Sequence, residues 1–326
     1  MINSAALDNF QLELGTSSEI GMAIVLAMMM FAVALGLRPA SFGFFKTQPK
    51  LYFTGVIAQI IGLPLLTLLM CLVINPHPSI ALGMILISCC PGGNTSNLIA
   101  LFARANTALS VSLTATSSVF AAFITPFSIL FWSSLHPPTR ELLIEINIDK
   151  LDFLIQTFVI LALPLFLGML FRHYAPRIAA RIQTPLAILS GLALVAIILI
   201  ASIRLFPVFM TLGIGLYFIV LPHNFLAFAL GNLAGRAIKA DTASRRALTI
   251  EVGIQNSGLG IVILLTQLGG VGGAGAVAGL WGVWHLIGGC GLALMWRRKD
   301  ARLSSCLLYT SPSPRDLSTS RMPSSA

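Results

Sequence analysis

The sequence predicts an all-α polytopic membrane protein, built as an inverted repeat in which two discontinuous helices cross. Three observations lead to this fold class: the composition, the placement of the basic residues, and two apolar segments that are interrupted by polar and glycine residues. The chain has 326 residues, is 56% hydrophobic and is only 10% charged, whereas about 25% of an ordinary soluble domain is charged. With a mean hydropathy of +0.90, the composition excludes a soluble enzyme domain, a disordered chain and a disulfide scaffold.

Nine apolar segments are long enough to cross a bilayer, since a spanning helix needs about 20 mostly apolar residues. Short loops join them, so we expect one membrane domain over residues 1–303, with repeat halves at about 20–133 and 152–296. Residues 1–19 contain no Lys or Arg, so no cleavable signal peptide is predicted. The predicted spans are 20–37, 51–74, 79–103, 107–133, 152–171, 184–206, 209–235, 246–268 and 274–296.

The basic residues alternate with the predicted spans. Fifteen of the 20 follow odd-numbered spans, whereas only Arg140, Lys150 and Arg204 follow even-numbered ones. Because loops on the cytoplasmic side are enriched in Lys and Arg, this asymmetry predicts an outside N-terminus and a cytoplasmic C-terminus in the plasma (inner) membrane. The fifteen are Arg38, Lys46, Lys50, Arg104, Arg172, Arg177, Arg181, Arg236, Lys239, Arg245, Arg246, Arg297, Arg298, Lys299 and Arg302.

Residues 304–326 differ in character from the rest of the chain. They are rich in Ser and Pro and show no helical period. We therefore expect a disordered or non-native tail, outside the membrane domain.

The third and eighth predicted spans are both interrupted near the middle. The third contains Pro91-Gly92-Gly93 followed by four polar residues, and the eighth contains Gly253 and Gly258 on either side of Gln255-Asn256-Ser257. Proline lacks a backbone donor and glycine tolerates non-helical angles, so both spans are expected to unwind within the membrane. They lie five spans apart and so cross in opposite directions, which is typical of inverted-repeat transporters with a midplane binding site.

The polar groups at these interruptions favour a hard cation. Glu251 is the one acidic residue deep in a predicted span, and a charge there costs at least ~2.5–3.5 kcal/mol. Amide, hydroxyl and free backbone oxygens surround it in sequence, and Ser110 and Thr114, four residues apart in the fourth span, add two more. Gln59 is an isolated amide in the second span. An all-oxygen set of this kind suits Na⁺ rather than a soft metal.

Five segments together resemble the bile acid:sodium symporter family in its nine-helix form. They are CCPGGNTSN at 89–97, ARANTALSVSLTATSS at 103–118, GVIAQIIGLP at 55–64, LTIEVGIQNSGLG at 248–260 and GVWHL at 282–286. The resemblance extends to about Arg298 and implies a core domain and a panel domain that import an organic anion with Na⁺ by alternating access. The implied substrate is a bile acid or a smaller carboxylate such as pantoate, and no nucleic acid or enzymatic activity is expected.

The resemblance also implies two Na⁺ sites and a substrate site in this chain. The first Na⁺ site would use Ser96, Asn97, Ser110, Thr114 and Glu251. The second would use Gln59, Glu251, Gln255 and the backbone carbonyls of Val252 and Ile254. Substrate would contact Asn94, Thr95, Asn256 and His285. The chain departs from many bacterial members at Asn94-Thr95 and at Leu286, so a changed substrate pocket is expected.

Two other functions fit single features of the sequence. The adjacent Cys89 and Cys90 fit an Na⁺-independent efflux carrier of the same superfamily, because its arsenite exporters use a membrane cysteine. An intramembrane hydrolase could be assembled from Cys90, His285 and Glu251, although the chain has no GxSxG or HExxH motif. His223, beside Asn224, is interpreted as a structural hydrogen bond between helices.

Overall fold

A computed structural model describes residues 16–37, 43–204, 206, 210 and 213–310. Within these residues the regular elements are helices, and one isolated β-bridge joins two loops. The helices Pro49–Ile57 and Leu63–Ile74 are continuous through a π-helical turn at Ala58–Gly62. The helices are α1 (Thr16–Gly36), α2 (Phe44–Thr47), α3 (Pro49–Ile57), α4 (Leu63–Ile74), α5 (Pro78–Ser88), α6 (Asn94–Phe102), α7 (Thr107–Ser134), α8 (Pro137–Glu145), α9 (Lys150–Tyr174), α10 (Pro176–Arg204), α11 (Gly215–Ala237), α12 (Thr242–Gly253), α13 (Ser257–Gln267) and α14 (Gly272–Thr310).

The helices confirm an all-α polytopic membrane architecture. Six are long and apolar enough to cross a membrane, and shorter apolar helices occupy the first, third and eighth predicted spans. The third span is divided into α5 and α6, and the eighth into α12 and α13, so both expected interruptions are present. The count of nine spans, the inverted repeat and the membrane orientation stay predictions. Arg38, one of the fifteen basic residues that predict the orientation, lies outside the described residues.

Helices α1, α9 and α10 pack on one another and form a group that we call the panel. Gly168 of α9 lies so close to α1 that an added Cβ would come within 2.6 Å of the Ala34 Cβ. Phe31 and Phe171 pack with ring centroids 6.0 Å apart, and Arg172 donates to the Leu35 carbonyl at the end of α1. Small residues at the closest approach and a cation at a helix C-terminus both favour this packing.

The other long helices surround the two broken ones and form the core. Every residue of α5 after Pro78 is buried, and so are the first nine residues of α13. Gly83 of α5 lies against Ala274 of α14, where a Cβ would come within 2.8 Å of the Ala274 Cα. The panel contacts the core through Leu194 against Gly258 and through Phe158 against Phe123. The broken helices are therefore enclosed by protein, as irregular backbone in a membrane requires.

The last helix runs further than the sequence predicted. Helix α14 extends beyond the predicted span 274–296 and continues to Thr310. Residues 303–310 contain no proline or glycine that would end a helix, and the first proline after it is Pro312. The disordered or non-native tail at 304–326 stays a prediction. Residues 311–326 of the predicted tail lie outside the described residues.

Arg246 joins the ends of three helices at the side predicted to be cytoplasmic. Its guanidinium makes two hydrogen bonds to the Asp300 carboxylate of α14, at 2.6 and 2.8 Å, and one to the Ala103 carbonyl after α6 at 3.1 Å. Arg297 donates to the neighbouring Phe102 carbonyl at 3.2 Å. Two cations thus satisfy the last carbonyls of α6 and fasten α12 and α14 to it.

At the same side, Asp241 begins α12. Its carboxylate accepts a hydrogen bond of 3.0 Å from the Ser244 backbone N–H. Side-chain and backbone hydrogen bonds from Ser244 hold the pKa of Asp241 below its usual value. The cap therefore stays charged, and favourable to the helix dipole, in mildly acidic solution.

Replacing Asp300 with Asn is expected to lower the stability of the folded protein by about 1–2 kcal/mol, because Arg246 is 8% exposed and would lose a bidentate charged partner. Thermal unfolding of the detergent-solubilised protein measures the change. Arg298→Gln, at an exposed position of the same helix, is the matched control and should leave the unfolding temperature unchanged. Equal unfolding temperatures for wild type and Asp300→Asn would contradict a stabilising role for the ion pair.

Candidate cation and substrate site

The two broken helices meet at their interruptions. Gly92 and Gln255 form an antiparallel β-bridge, and the Asn256 backbone N–H donates to the Pro91 carbonyl at 2.8 Å. Pro91 has no N–H to continue α5, and its carbonyl is used by the opposite chain instead. The crossing therefore satisfies part of the backbone that each break releases within the membrane.

The carboxylate of Glu251 lies beside this crossing and is fully buried. Its Oε2 accepts hydrogen bonds from Ser96 Oγ at 2.9 Å and Ser110 Oγ at 2.8 Å. Its Oε1 accepts a short hydrogen bond from Thr114 Oγ1. These hydroxyls come from α6 and α7, while the carboxylate comes from α12, so one charge draws three helices together. Ser110 and Thr114 lie on the same face of α7, as their spacing of four predicts.

Asn97 completes this group of oxygens. Its Oδ1 lies 2.9 Å from Ser110 Oγ and 3.3 Å from Thr114 Oγ1. Six oxygens from five residues are thus in contact, but the three hydroxyls supply only three protons among them. A hard cation suits such a proton-poor cluster, because each oxygen can direct a lone pair at it. The structure brings together all five side chains predicted for the first Na⁺ site.

The second predicted set lies on the other side of the crossing and is partly assembled. Gln59 Nε2 lies 3.5 Å from Gln255 Oε1, and Gln255 Nε2 donates to the Val252 carbonyl at 2.9 Å. Ile254 follows with an extended backbone (φ −119°, ψ 108°) at the end of α12. These residues are buried, like Glu251. In this arrangement the Val252 carbonyl already accepts a hydrogen bond from the side-chain amide of Gln255.

The π-helical turn at Ala58–Gly62 explains how Gln59 reaches the crossing. Pro64 cannot donate to the carbonyl of Ile60, so the α-helical ladder is interrupted one turn before it. The extra residue in the turn rotates the face that α3 and α4 present to the crossing. Gln59 lies in this turn and is only 2% exposed. A π-turn of this kind is frequent at functional sites. The sequence pattern indicated Gln59 but not the turn that places it.

The predicted substrate residues lie at two levels of burial. Asn94 and Thr95 begin α6 and are exposed, whereas Asn256 is half-buried and caps α13 by accepting from the Leu259 N–H at 3.0 Å. His285 of α14 is 4% exposed, and within the described residues its Nδ1 has no hydrogen-bond partner. The structure thus brings Asn94, Thr95 and Asn256 to the crossing and leaves His285 buried on the neighbouring helix.

Residues that sequence reasoning missed support both breaks. Asn224 of α11 donates to the Gly253 carbonyl, the last of α12, at 2.8 Å, and Ser117 of α7 accepts from the Gly92 N–H at 3.2 Å. The only sequence signal at Asn224 was its position beside His223. That position does not indicate which backbone carbonyl the Asn224 amide binds. The interpretation of His223 is confirmed, because its Nε2 lies 2.7 Å from Thr67 Oγ1 of α4.

Comparison with known proteins agrees with this geometry. The family model for the sodium bile acid symporter family matches residues 23–235. The chain is 28% identical over 276 residues to YocS of Bacillus subtilis, named as an uncharacterized sodium-dependent transporter, covering 85% of this chain and 83% of that protein. It is 32% identical over 264 residues to the probable chloroplastic sodium/metabolite cotransporter BASS1 of Arabidopsis thaliana, covering 77% of this chain and 60% of the plant protein.

A mammalian relative is more distant. The human ileal sodium/bile acid cotransporter is 24% identical over 238 residues, which cover 73% of this chain and 67% of the human protein. These relatives are transporters whose names state sodium coupling. Since the family model matches well over half of the chain, the chain belongs to the sodium bile acid symporter family.

Proposed function

We propose that this protein imports an organic anion together with Na⁺ by alternating access. The observation that carries the proposal is the Glu251 carboxylate, which is fully buried and surrounded by hydroxyl and amide oxygens from α6 and α7. A buried charge is costly unless an opposite charge accompanies it, and Na⁺ supplies that charge. Sodium-dependent transport by the relatives supports the same conclusion.

Two Na⁺ ions are proposed, one on each side of Gly92. The first binds the five residues of the oxygen cluster, and the second binds Gln59, Glu251, Gln255 and carbonyls of the α12 break. Gly92 lies between them, because a Cβ there would be 2.6 Å from Glu251 Oε1 and 2.9 Å from Gln59 Nε2. Only a residue without a side chain leaves both sets of ligands in place.

The substrate is proposed to bind at the crossing as an organic anion. Helices α6 and α13 both begin there, and the N-terminus of a helix carries partial positive charge that favours an anion. Asn94, Thr95, Asn256 and His285 add amide, hydroxyl and imidazole groups. A bile acid fits the name of the human relative, and a smaller carboxylate such as pantoate fits the word metabolite in the name of the Arabidopsis relative.

The panel is proposed to move relative to the core during transport. All thirteen proposed ligand positions lie in the core, and the Arg246–Asp300 pair fastens the ends of three core helices. The core can therefore rotate as a unit that carries both ions and the substrate, as in other inverted-repeat transporters. Two Na⁺ with a monovalent anion move one net charge, worth ~2.3 kcal/mol per 100 mV.

The geometry of the cysteines disfavours the two alternative functions. Cys90 donates to the Leu86 carbonyl at 3.3 Å, and its Sγ packs against Gly260 of α13. The groups that contact one another around Glu251 come from Ser96, Asn97, Ser110 and Thr114 and do not include Cys90, whereas an arsenite-like efflux carrier needs the thiol among its ligands. An intramembrane hydrolase needs Cys90 hydrogen-bonded to a base, and the thiol is bonded to a backbone carbonyl instead.

Glu251→Ala is expected to abolish Na⁺-dependent uptake in proteoliposomes, because the cation would lose its only carboxylate ligand. The same variant should remain folded in detergent, since removing the buried charge also removes its desolvation cost. A thermal-shift screen of organic anions, with and without Na⁺, first identifies an anion that stabilises the protein. Uptake of that anion is then measured. Normal Na⁺-driven flux in this variant would refute the ion-site assignment.

A matched pair on α7 provides the control for this test. Ser110→Ala removes a hydroxyl that contacts Glu251, whereas Ser118→Ala removes a buried hydroxyl two turns further along the same helix. Only the first substitution should raise the Na⁺ concentration needed for half-maximal uptake, by about tenfold for a charge-assisted hydrogen bond of ~1.5 kcal/mol. Equal effects at both positions would indicate a general packing defect.

We expect Na⁺ to stabilise the wild type in thermal unfolding and Gly92→Ala to eliminate that stabilisation. Gly93→Ala is the matched control, because its Cβ would meet only ordinary contacts at 3.5 and 3.7 Å. Neither glycine has a positive φ, so alanine strains neither backbone. If Na⁺ stabilises Gly92→Ala as much as wild type, the proposed ligand sets do not adjoin this residue.

Uptake should increase with an inside-negative membrane potential and reverse when the Na⁺ gradient is reversed. One net charge per cycle predicts about a 50-fold change in the accumulation limit per 100 mV. Proteoliposomes with potassium-clamped potentials measure this dependence. Flux that is indifferent to the Na⁺ gradient would favour the efflux carrier, and conversion of candidate esters or peptides by the purified protein would favour the hydrolase.

A further inference from the structure

A groove of about 900 Å³ lies between α11 and α14, on the outer face of the core. Its lining includes Phe225, Phe228, Trp284 and Trp296, with Arg236 at one end. Among the described residues none from the panel helices lines it, so the groove is separate from the contact between panel and core. We call it the α11–α14 groove, and none of the proposed ligands of Na⁺ or substrate lines it.

The groove has the length of one bilayer leaflet. One end begins at Leu221 of α11, one turn before Asn224, which lines the groove and donates to the Gly253 carbonyl at the end of α12. The other end lies at Arg236, fifteen residues after Leu221, which corresponds to about 22 Å of helix. Half of a ~40–45 Å bilayer with its headgroup regions is about 20–22 Å. A single lipid of one leaflet therefore matches the groove from the midplane to the headgroup.

The side of the groove is open and apolar. Phe225, Leu233 and Met295 line it and are 69%, 60% and 53% exposed, respectively. In a membrane this surface faces acyl chains. Trp284 and Trp296 contribute further apolar area, and Trp296 lies near the end where a tryptophan suits the membrane interface.

The Arg236 end of the groove is basic. Arg236 is exposed, and Lys239 lies three residues after it. Arg245 of α12 lies against Gly235, and Arg297 and Arg298 directly follow the groove residue Trp296 in α14. The proposed orientation places this end at the cytoplasmic surface. A basic residue near the membrane surface attracts anionic headgroups, so the charge of the groove complements an anionic lipid and not a zwitterionic one.

We propose that the α11–α14 groove binds one anionic phospholipid of the cytoplasmic leaflet, with its phosphate at Arg236 and an acyl chain along Phe225 and Trp284. The chain end then packs beside Asn224, the residue that holds the last carbonyl of α12. Lipid in the groove thereby supports the helix break from outside the core. Binding requires neither Na⁺ nor substrate and is independent of the proposed transport cycle.

Tryptophan quenching by brominated lipids tests the proposal in proteoliposomes of the full chain. The protein carries Trp132→Phe, so that Trp284 and Trp296 report on the groove and the buried Trp281 does not. Brominated phosphatidylglycerol is compared with brominated phosphatidylcholine at equal mole fraction. We expect stronger quenching by the anionic lipid, and Arg236→Gln should lower its relative affinity about fivefold, equivalent to ~1 kcal/mol per basic residue.

Two matched pairs of variants control this measurement. Arg177→Gln changes an exposed basic residue of the panel at the same predicted membrane surface and should leave quenching unchanged. Gly291→Leu fills the groove, whereas Gly191→Leu adds the same side chain to α10. An added Cβ meets nothing within 4 Å at either glycine, so both variants should fold. Only Gly291→Leu should eliminate the preference for phosphatidylglycerol.

The outcomes separate this proposal from the transport mechanism. Equal quenching by both lipids, or an unchanged preference in Arg236→Gln, would overturn the anionic lipid site. Absence of quenching together with a cross-linked dimer would show that a second copy of the chain covers the groove, which also overturns it. The Glu251→Ala variant should keep the preference for phosphatidylglycerol, because the groove does not depend on Na⁺ coupling.

Discussion

The buried carboxylate of Glu251 is the constraint on which the rest of the core depends. A charge at the centre of a bilayer costs at least ~2.5–3.5 kcal/mol, and Glu251 is fully buried. Ser96, Ser110 and Thr114 compensate that cost with hydrogen bonds from two other helices. Ser96 and Asn97 lie in the first turn of α6, directly after the break, and both reach the cluster.

Breaking two helices within a membrane creates a second cost, which the fold offsets locally. Each break frees backbone groups that lipid cannot satisfy. The Pro91 carbonyl accepts from Asn256, the Gly92 N–H donates to Ser117, and the Gly253 carbonyl accepts from Asn224. The crossing is therefore supported from both broken helices and from α7 and α11.

The sequence was sufficient for the features that local patterns encode. The polar run after Pro91 and the polar run after Glu251 predicted both breaks, and a spacing of four predicted the shared face of Ser110 and Thr114. Other features depend on pairs distant in the chain. Glu251 and Ser96 are separated by 155 positions, and no local pattern indicates which amide satisfies Gly253 or that Arg246 pairs with Asp300. The π-turn at Gln59 was missed because Pro64 alone is compatible with a simple kink.

The same carboxylate also accounts for the way in which ion binding could drive a conformational change. Without a cation, α6, α7 and α12 are joined through one negative charge and three hydroxyl protons, and additional oxygens repel one another around it. A cation converts those repulsions into attractions, so its binding energy is expressed as closer association of the helices that carry the crossing. The panel contributes no ligand to the proposed sites. The binding energy of the cation therefore does not fix the contacts between panel and core, and these contacts can differ between an outward-open and an inward-open state. A coupled carrier requires that separation: the ions must order the part that binds substrate without fixing the part that opens and closes.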